Sequence, residues 1–65
     1  MSQLKVGDEY IHRNKGGHYV VSEFLQTKIE GVWIDCVIYK SLEDGLRWCR
    51  PVNNFIQKFD KKEDG

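Results

Sequence analysis

Val32 to Phe55, VWIDCVIYKSLEDGLRWCRPVNNF, decides how this chain folds. Its opening nine residues, Val32 to Lys40, are mostly β-branched or aromatic, with no glycine or proline, which favours a strand over a helix. Leu42-Glu43-Asp44-Gly45 then supplies a turn, since Asp44 tolerates unusual backbone angles and Gly45 takes positive φ at no steric cost. A four-residue loop pairs Ser41 with Leu46. Lys40 then faces Arg47, Tyr39 faces Trp48, Ile38 faces Cys49 and Val37 faces Arg50. Arg50-Pro51 closes the second strand, because proline has no amide to give the ladder.

Side chains alternate across a strand, so this register sorts the hairpin into two faces. One carries Val32, Ile34, Cys36, Ile38 and Cys49, aliphatic and small, and is expected to face the core. The other carries Trp33, Asp35, Val37, Tyr39, Trp48 and Arg50, large rings mixed with one acid and one base. A slip of one residue would exchange these sets completely.

Working outward, residues 1–5 are expected to form a loose lead-in, and Val6-Gly7-Asp8 a turn into a strand from Glu9 to Arg13. Asn14-Lys15-Gly16-Gly17 is a strong turn signal. It leads to a strand from His18 to about Leu25, with His12 opposite Tyr19 and Tyr10 opposite Val21. Gln26 to Gly31 reads as a polar connection. After Pro51, Val52-Asn53-Asn54-Phe55 fits one 3₁₀ turn that returns Phe55 over the sheet. Ile56 to Phe59 reads as a short fifth strand, and residues 60–65, DKKEDG, as a disordered charged tail. The expectation is an all-β fold over residues 6–59. It is a small five-stranded SH3-like barrel with one 3₁₀ turn before the last strand.

A chain of 65 residues is near the lower limit for independent folding and buries only about 60% of its unfolded surface. Apolar residues at 40% with aromatics at 12% suffice for a small core, which argues against global disorder. Ten basic residues balance ten acidic ones. That balance removes the generic electrostatic argument for nucleic acid and leaves a weakly nucleic-acid-associated module as a minor alternative. No apolar run approaches the roughly 20 residues that span a bilayer. The N-terminal MSQLKVGDEY lacks the apolar stretch of a signal peptide, so a soluble cytoplasmic protein is expected.

Certain blocks carry a resemblance. Tyr10-x-His12, Lys15-Gly16-Gly17-x-Tyr19, Val37-Ile38-Tyr39-Lys40 and Trp48-x-Arg50-Pro51 with Phe55 together resemble the bacterial and phage family known as domain of unknown function 1653. The likeness spans about Gly7 to Phe59. It implies a small β-barrel and supplies no catalytic residues.

Each candidate chemistry has a plainer competitor. Cys36, Cys49, His12 and His18 invite a zinc site, but neither cysteine has a partner at Cys-x-x-Cys spacing. On the hairpin register the two cysteines lie diagonally, about 7–8 Å apart, too far for an unstrained disulfide. They read as free core thiols, with no metal, cofactor or catalytic nucleophile expected. Lys15-Gly16-Gly17 could suggest phosphate cradling, yet a P-loop opens a helix, and a hairpin turn explains these glycines. The aromatic face remains. Trp33, Asp35, Tyr39, Trp48 and Arg50, with Tyr10 and His12 at its margin, form the candidate binding surface, because rings give contact area at low entropic cost and Arg adds a planar fork. The competing reading has Tyr39 and Trp48 completing the core while Arg50 pairs with Asp35. The expected function is a non-catalytic module binding a protein partner, with a small anionic or nucleotide-like ligand as the alternative. An uncovered face or free edge would also permit a homodimer.

Overall fold

The computed structural model describes residues 4–62. Five strands and one short helix follow in the order β1 (Glu9–His12), β2 (His18–Ile29), β3 (Val32–Ser41), β4 (Arg47–Pro51), α1 (Val52–Lys58) and β5 (Phe59–Lys61). The strands form one antiparallel sheet in the order β4-β3-β2-β1-β5. The ladder does not close between β4 and β5, so the expected barrel is an open sheet. The chain crosses from one edge to the other as α1, which touches β3, β4 and β5.

The central hairpin has the register read from its turn: Lys40 pairs with Arg47, Tyr39 with Trp48, Ile38 with Cys49 and Val37 with Arg50. Gly45 sits at φ +76°. Ser41 N–H donates to the Leu46 carbonyl at 2.8 Å, while Asp44 Oδ1 accepts from the Leu46 amide at 3.0 Å. The turn chemistry named in the sequence closes this loop.

Other expectations need correction. Tyr10 pairs with Tyr19, and Ile11 with His18, a shift of two residues from the expected partners. An even shift leaves every side chain on its expected face. β2 does not end near Leu25 but runs to Ile29, and Glu30-Gly31 alone turns the chain, with φ +49° and +80°. Positive φ at both positions matches the twist of the flanking strands, the geometry of a type I′ hairpin. A bulge between Val21 and Glu23 bends β2, so its inner part pairs with both β1 and β3 and its outer part with β3 alone.

The 3₁₀ turn expected over residues 52–55 is a seven-residue α-helix, and the last strand starts at Phe59 rather than Ile56. Asp60 and Lys61, assigned to the tail from sequence, pair with Ile11 and Tyr10. Residues 63–65 of that tail, and residues 1–3 of the lead-in, lie outside the described residues. Leu4, expected to be loose, packs against the core.

The largest correction concerns which face is buried. The core is Tyr10, Val21, Val37, Tyr39, Phe55 and Phe59, all on or against the aromatic face of the hairpin. Phe55 stacks on Phe59 at 4.2 Å and approaches Tyr10 and Tyr39 at 5.1 and 4.9 Å between ring centroids. Val32, placed on the core face from sequence, is exposed, as is Cys49, while Ile34 and Ile38 are half-buried and Cys36 is buried. Size explains the choice. Buried rings remove roughly 150–250 Å² each, so a chain this short gains most by clustering Tyr10, Tyr39, Phe55 and Phe59 inside, while Trp33 and Trp48 at the margins stay exposed. α1 enforces it, since Phe55 is its buried residue and Phe59 follows one turn later.

Candidate functional site

Where β4 meets the first turn and β5, the aromatic face opens into a cleft with a volume of about 90 Å³. His12, Lys15, Tyr19, Tyr39, Trp48, Arg50 and Phe59 line it. Tyr39 and Trp48 are cross-strand partners and share a face, as the register requires. Their roles differ. Tyr39 is buried in the core, whereas Trp48 is 51% exposed and forms the outer wall.

Arg50 follows Trp48 by two residues and so points to the same side. Its Nε donates to Tyr39 Oη at 2.7 Å, and its Nη1 donates to Asn54 Oδ1 on α1 at 2.8 Å. The guanidinium also lies 5.9 Å from the Phe59 ring centroid. Two hydrogen bonds from different edges of one planar group fix its orientation.

His12 is held just as firmly. Its Nδ1 accepts the backbone N–H groups of both Asn14 and Lys15, each at 3.1 Å, and its ring meets Phe59 edge-on at 4.8 Å. A ring nitrogen that accepts is unprotonated, so the neutral tautomer carries its proton on Nε2. Burial holds the His12 pKa below its usual value, and the charges of Lys15, Arg50 and Lys58 push it in the same direction. Tyr19 completes the wall, edge-on to Tyr39 at 5.4 Å and to Phe59 at 5.3 Å. A Cβ at Gly17 would come within 3.1 Å of the Tyr19 ring, so this position gives the ring its room.

The structure thus gathers four of the expected site residues, His12, Tyr39, Trp48 and Arg50, and separates the rest. Trp33 and Asp35 line a different depression of about 320 Å³ with Ile34, Pro51, Val52 and Asn53. Asp35 accepts from Gln26 Nε2 at 2.8 Å and does not pair with Arg50. Trp33 is 63% exposed, with Lys28 Nζ 5.8 Å from its ring centroid. Tyr10 is a core residue whose burial, followed by the Asp8 charge, raises its pKa. Lys15, Tyr19 and Phe59 were not among the expected contacts. The Lys15-Gly16-Gly17-x-Tyr19 block, read as a turn, as a weak phosphate cradle and as part of the family resemblance, carried the signal for Lys15 and Tyr19, while Phe59 was read only as the end of a short fifth strand.

Cys36 is a buried thiol and Cys49 an exposed one, and both are free. Burial raises the Cys36 pKa, with smaller contributions from the neighbouring Cys49 thiol and the Asp35 charge. Among the described residues, no group of three or more His, Cys, Asp or Glu side chains converges as a metal site would require. No helix among them is long and apolar enough to cross a membrane. No protein family, curated protein or solved structure matches this chain.

Proposed function

We propose that this chain is a non-catalytic binding module whose curled, SH3-like sheet offers the Trp48–Arg50 cleft to a protein partner in the cytoplasm. One observation carries the reading: a tryptophan left half in solvent stands beside an arginine already fixed at two points. Trp, Tyr and Arg dominate binding energy where they can be desolvated together, and a preset guanidinium loses little rotamer freedom on contact. His12 fits a structural part better than a catalytic one, because its Nδ1 lone pair is occupied by two turn amides. The likeness to domain of unknown function 1653, carried by residue blocks that include Trp48, Arg50, Pro51 and Phe55, belongs to this proposal as well.

Trp48→Ala tests it. The ring is half-exposed, so stability should fall by only about 1 kcal/mol. A partner recovered by the parent chain should be lost by the variant. Equal recovery of that partner by both proteins would refute a role for this cleft. A second reading, a small anionic ligand, is favoured by Lys15 and Arg50 lining the same space. Thermal shifts across a nucleotide panel distinguish it, since a ligand that binds only the folded state raises the midpoint.

A further inference from the structure

The charged residues near the cleft are unevenly matched. On the β1–β5 flank the bases have acids: Arg13 Nε lies 2.8 Å from Asp60, Lys61 Nζ 3.5 Å from Asp8 and Lys62 Nζ 3.3 Å from Glu9. Lys15 and Arg50 have none within ion-pair distance among the described residues, and no acid lines the cleft they share. The whole chain is electrically balanced, so this is a local excess created by the fold.

Arg50 is also half-buried and only partly satisfied. Guanidinium has five N–H donors. Two are taken by Tyr39 and Asn54, both neutral acceptors, so three N–H groups and the full charge remain available. A fixed, partly desolvated cation without a counter-charge is prepared for an anion.

Size narrows the ligand. The cleft's volume is about 90 Å³. Sites that enclose whole small molecules run to roughly 300–1,000 Å³. The cleft therefore encloses about one carboxylate or phosphoryl group, and any larger ligand extends beyond it. The rest of the ligand must lie outside, where the exposed half of Trp48 offers an apolar wall.

We propose that the cleft recognises a single peptide-borne oxyanion, held by Arg50 and Lys15 while the adjoining peptide lies against Trp48. This deepens the binding-module reading and rests on it. His12 acts as a built-in reporter. The cations facing it are Lys15 from the turn, Arg50 from β4 and Lys58 from α1, with only the Phe59 ring packed on it from β5. An oxyanion placed among those charges offsets their repulsion of the imidazolium, so binding should raise the His12 pKa.

The test is an NMR titration with capped peptides of alanine around one central residue: glutamate, phosphoserine or glutamine. An uncapped alanine peptide presenting its terminal carboxylate is the fourth probe. The glutamate, phosphoserine or free-carboxylate peptide should shift the Arg50 Nε–H and Trp48 Nε1–H signals and raise the His12 pKa, and the glutamine peptide should do neither. Whichever oxyanion binds tightest identifies its source. Lys15→Gln, on an exposed turn and outside the core, should weaken binding at least about tenfold while the free protein keeps its melting temperature and the signals of core residues such as Val21 and Val37. Equal shifts from the glutamine and glutamate peptides would overturn the oxyanion while leaving a binding cleft. The inference also fails if none of the three oxyanion peptides perturbs these signals, whatever the partner experiment with Trp48→Ala gives.

Discussion

Phe55→Ala should come close to unfolding this protein. Phe55 is fully buried, is the buried residue of α1, and meets Phe59, Tyr39 and Tyr10 at ring distances between 4.2 and 5.1 Å. Removing a buried phenylalanine costs about 3–5 kcal/mol, the transfer loss plus the cavity it leaves. The total stability of a 65-residue domain is only roughly 3–10 kcal/mol at about 0.05–0.15 kcal/mol per residue. The loss also frees α1 from the sheet, because Phe55 is its anchor. Urea unfolding followed by far-UV circular dichroism measures the change directly. A drop of at least about 12 °C in melting temperature should accompany it, since each kcal/mol moves a domain this small by about 4–8 °C. Ile56→Ala is the control: Ile56, next to Phe55 in the same helix, is 49% exposed, so the cost should stay below about 1 kcal/mol. Similar small losses for both variants would refute the placement of Phe55 at the centre of the core.

Other outcomes follow from single features. Glu30 holds φ +49° without being glycine, so Glu30→Asn should stabilise the protein by about 0.5–1 kcal/mol in the same unfolding assay. Thiol titration of the native protein should show one fast group, the exposed Cys49, and one slow group, the buried Cys36. Because the folded state lowers the His12 pKa, the stability held above an unfolded value of about 6.5 should decline as pH falls through it. His12→Asn should flatten that part of the stability profile. Glu9, lowered by its hydrogen bonds with His18 and Lys62, adds a further decline below about pH 4.3, where the unfolded carboxylate takes up its proton.

The sequence disclosed some of this design clearly. Asp44-Gly45 allowed one economical loop, and counting back from it placed Tyr39 opposite Trp48 and Arg50 two residues further on. What it hid was which side of that hairpin would be covered. Composition pointed to the aliphatic face, but burial was decided by a helix whose only local sign was the spacing of Val52, Phe55 and Phe59. Read as a single 3₁₀ turn, that segment could not be seen to bring two rings onto Tyr39. The site was divided for a related reason. Trp33 and Trp48 share a sheet face, yet Val37 and Tyr39 between them are buried, which leaves the tryptophans in separate depressions. The two-residue turn at Glu30-Gly31 was missed because the polar run from Gln26 to Glu30 resembles a loop; cross-strand pairing keeps it in the ladder.

That long ribbon has a mechanical consequence. Beyond Cys36, which still pairs with Pro51 of β4, β2 and β3 hold only each other, from Gln26 with Asp35 out to Ile29 with Val32. A two-stranded ribbon alone is marginally stable in water, so this arm should fray from its tip like an opening zip. Amide exchange would then slow steadily from Val32 inward as far as Cys36, where β4 joins the ladder. The protein would breathe at one end while its cationic cleft stays rigid at the other.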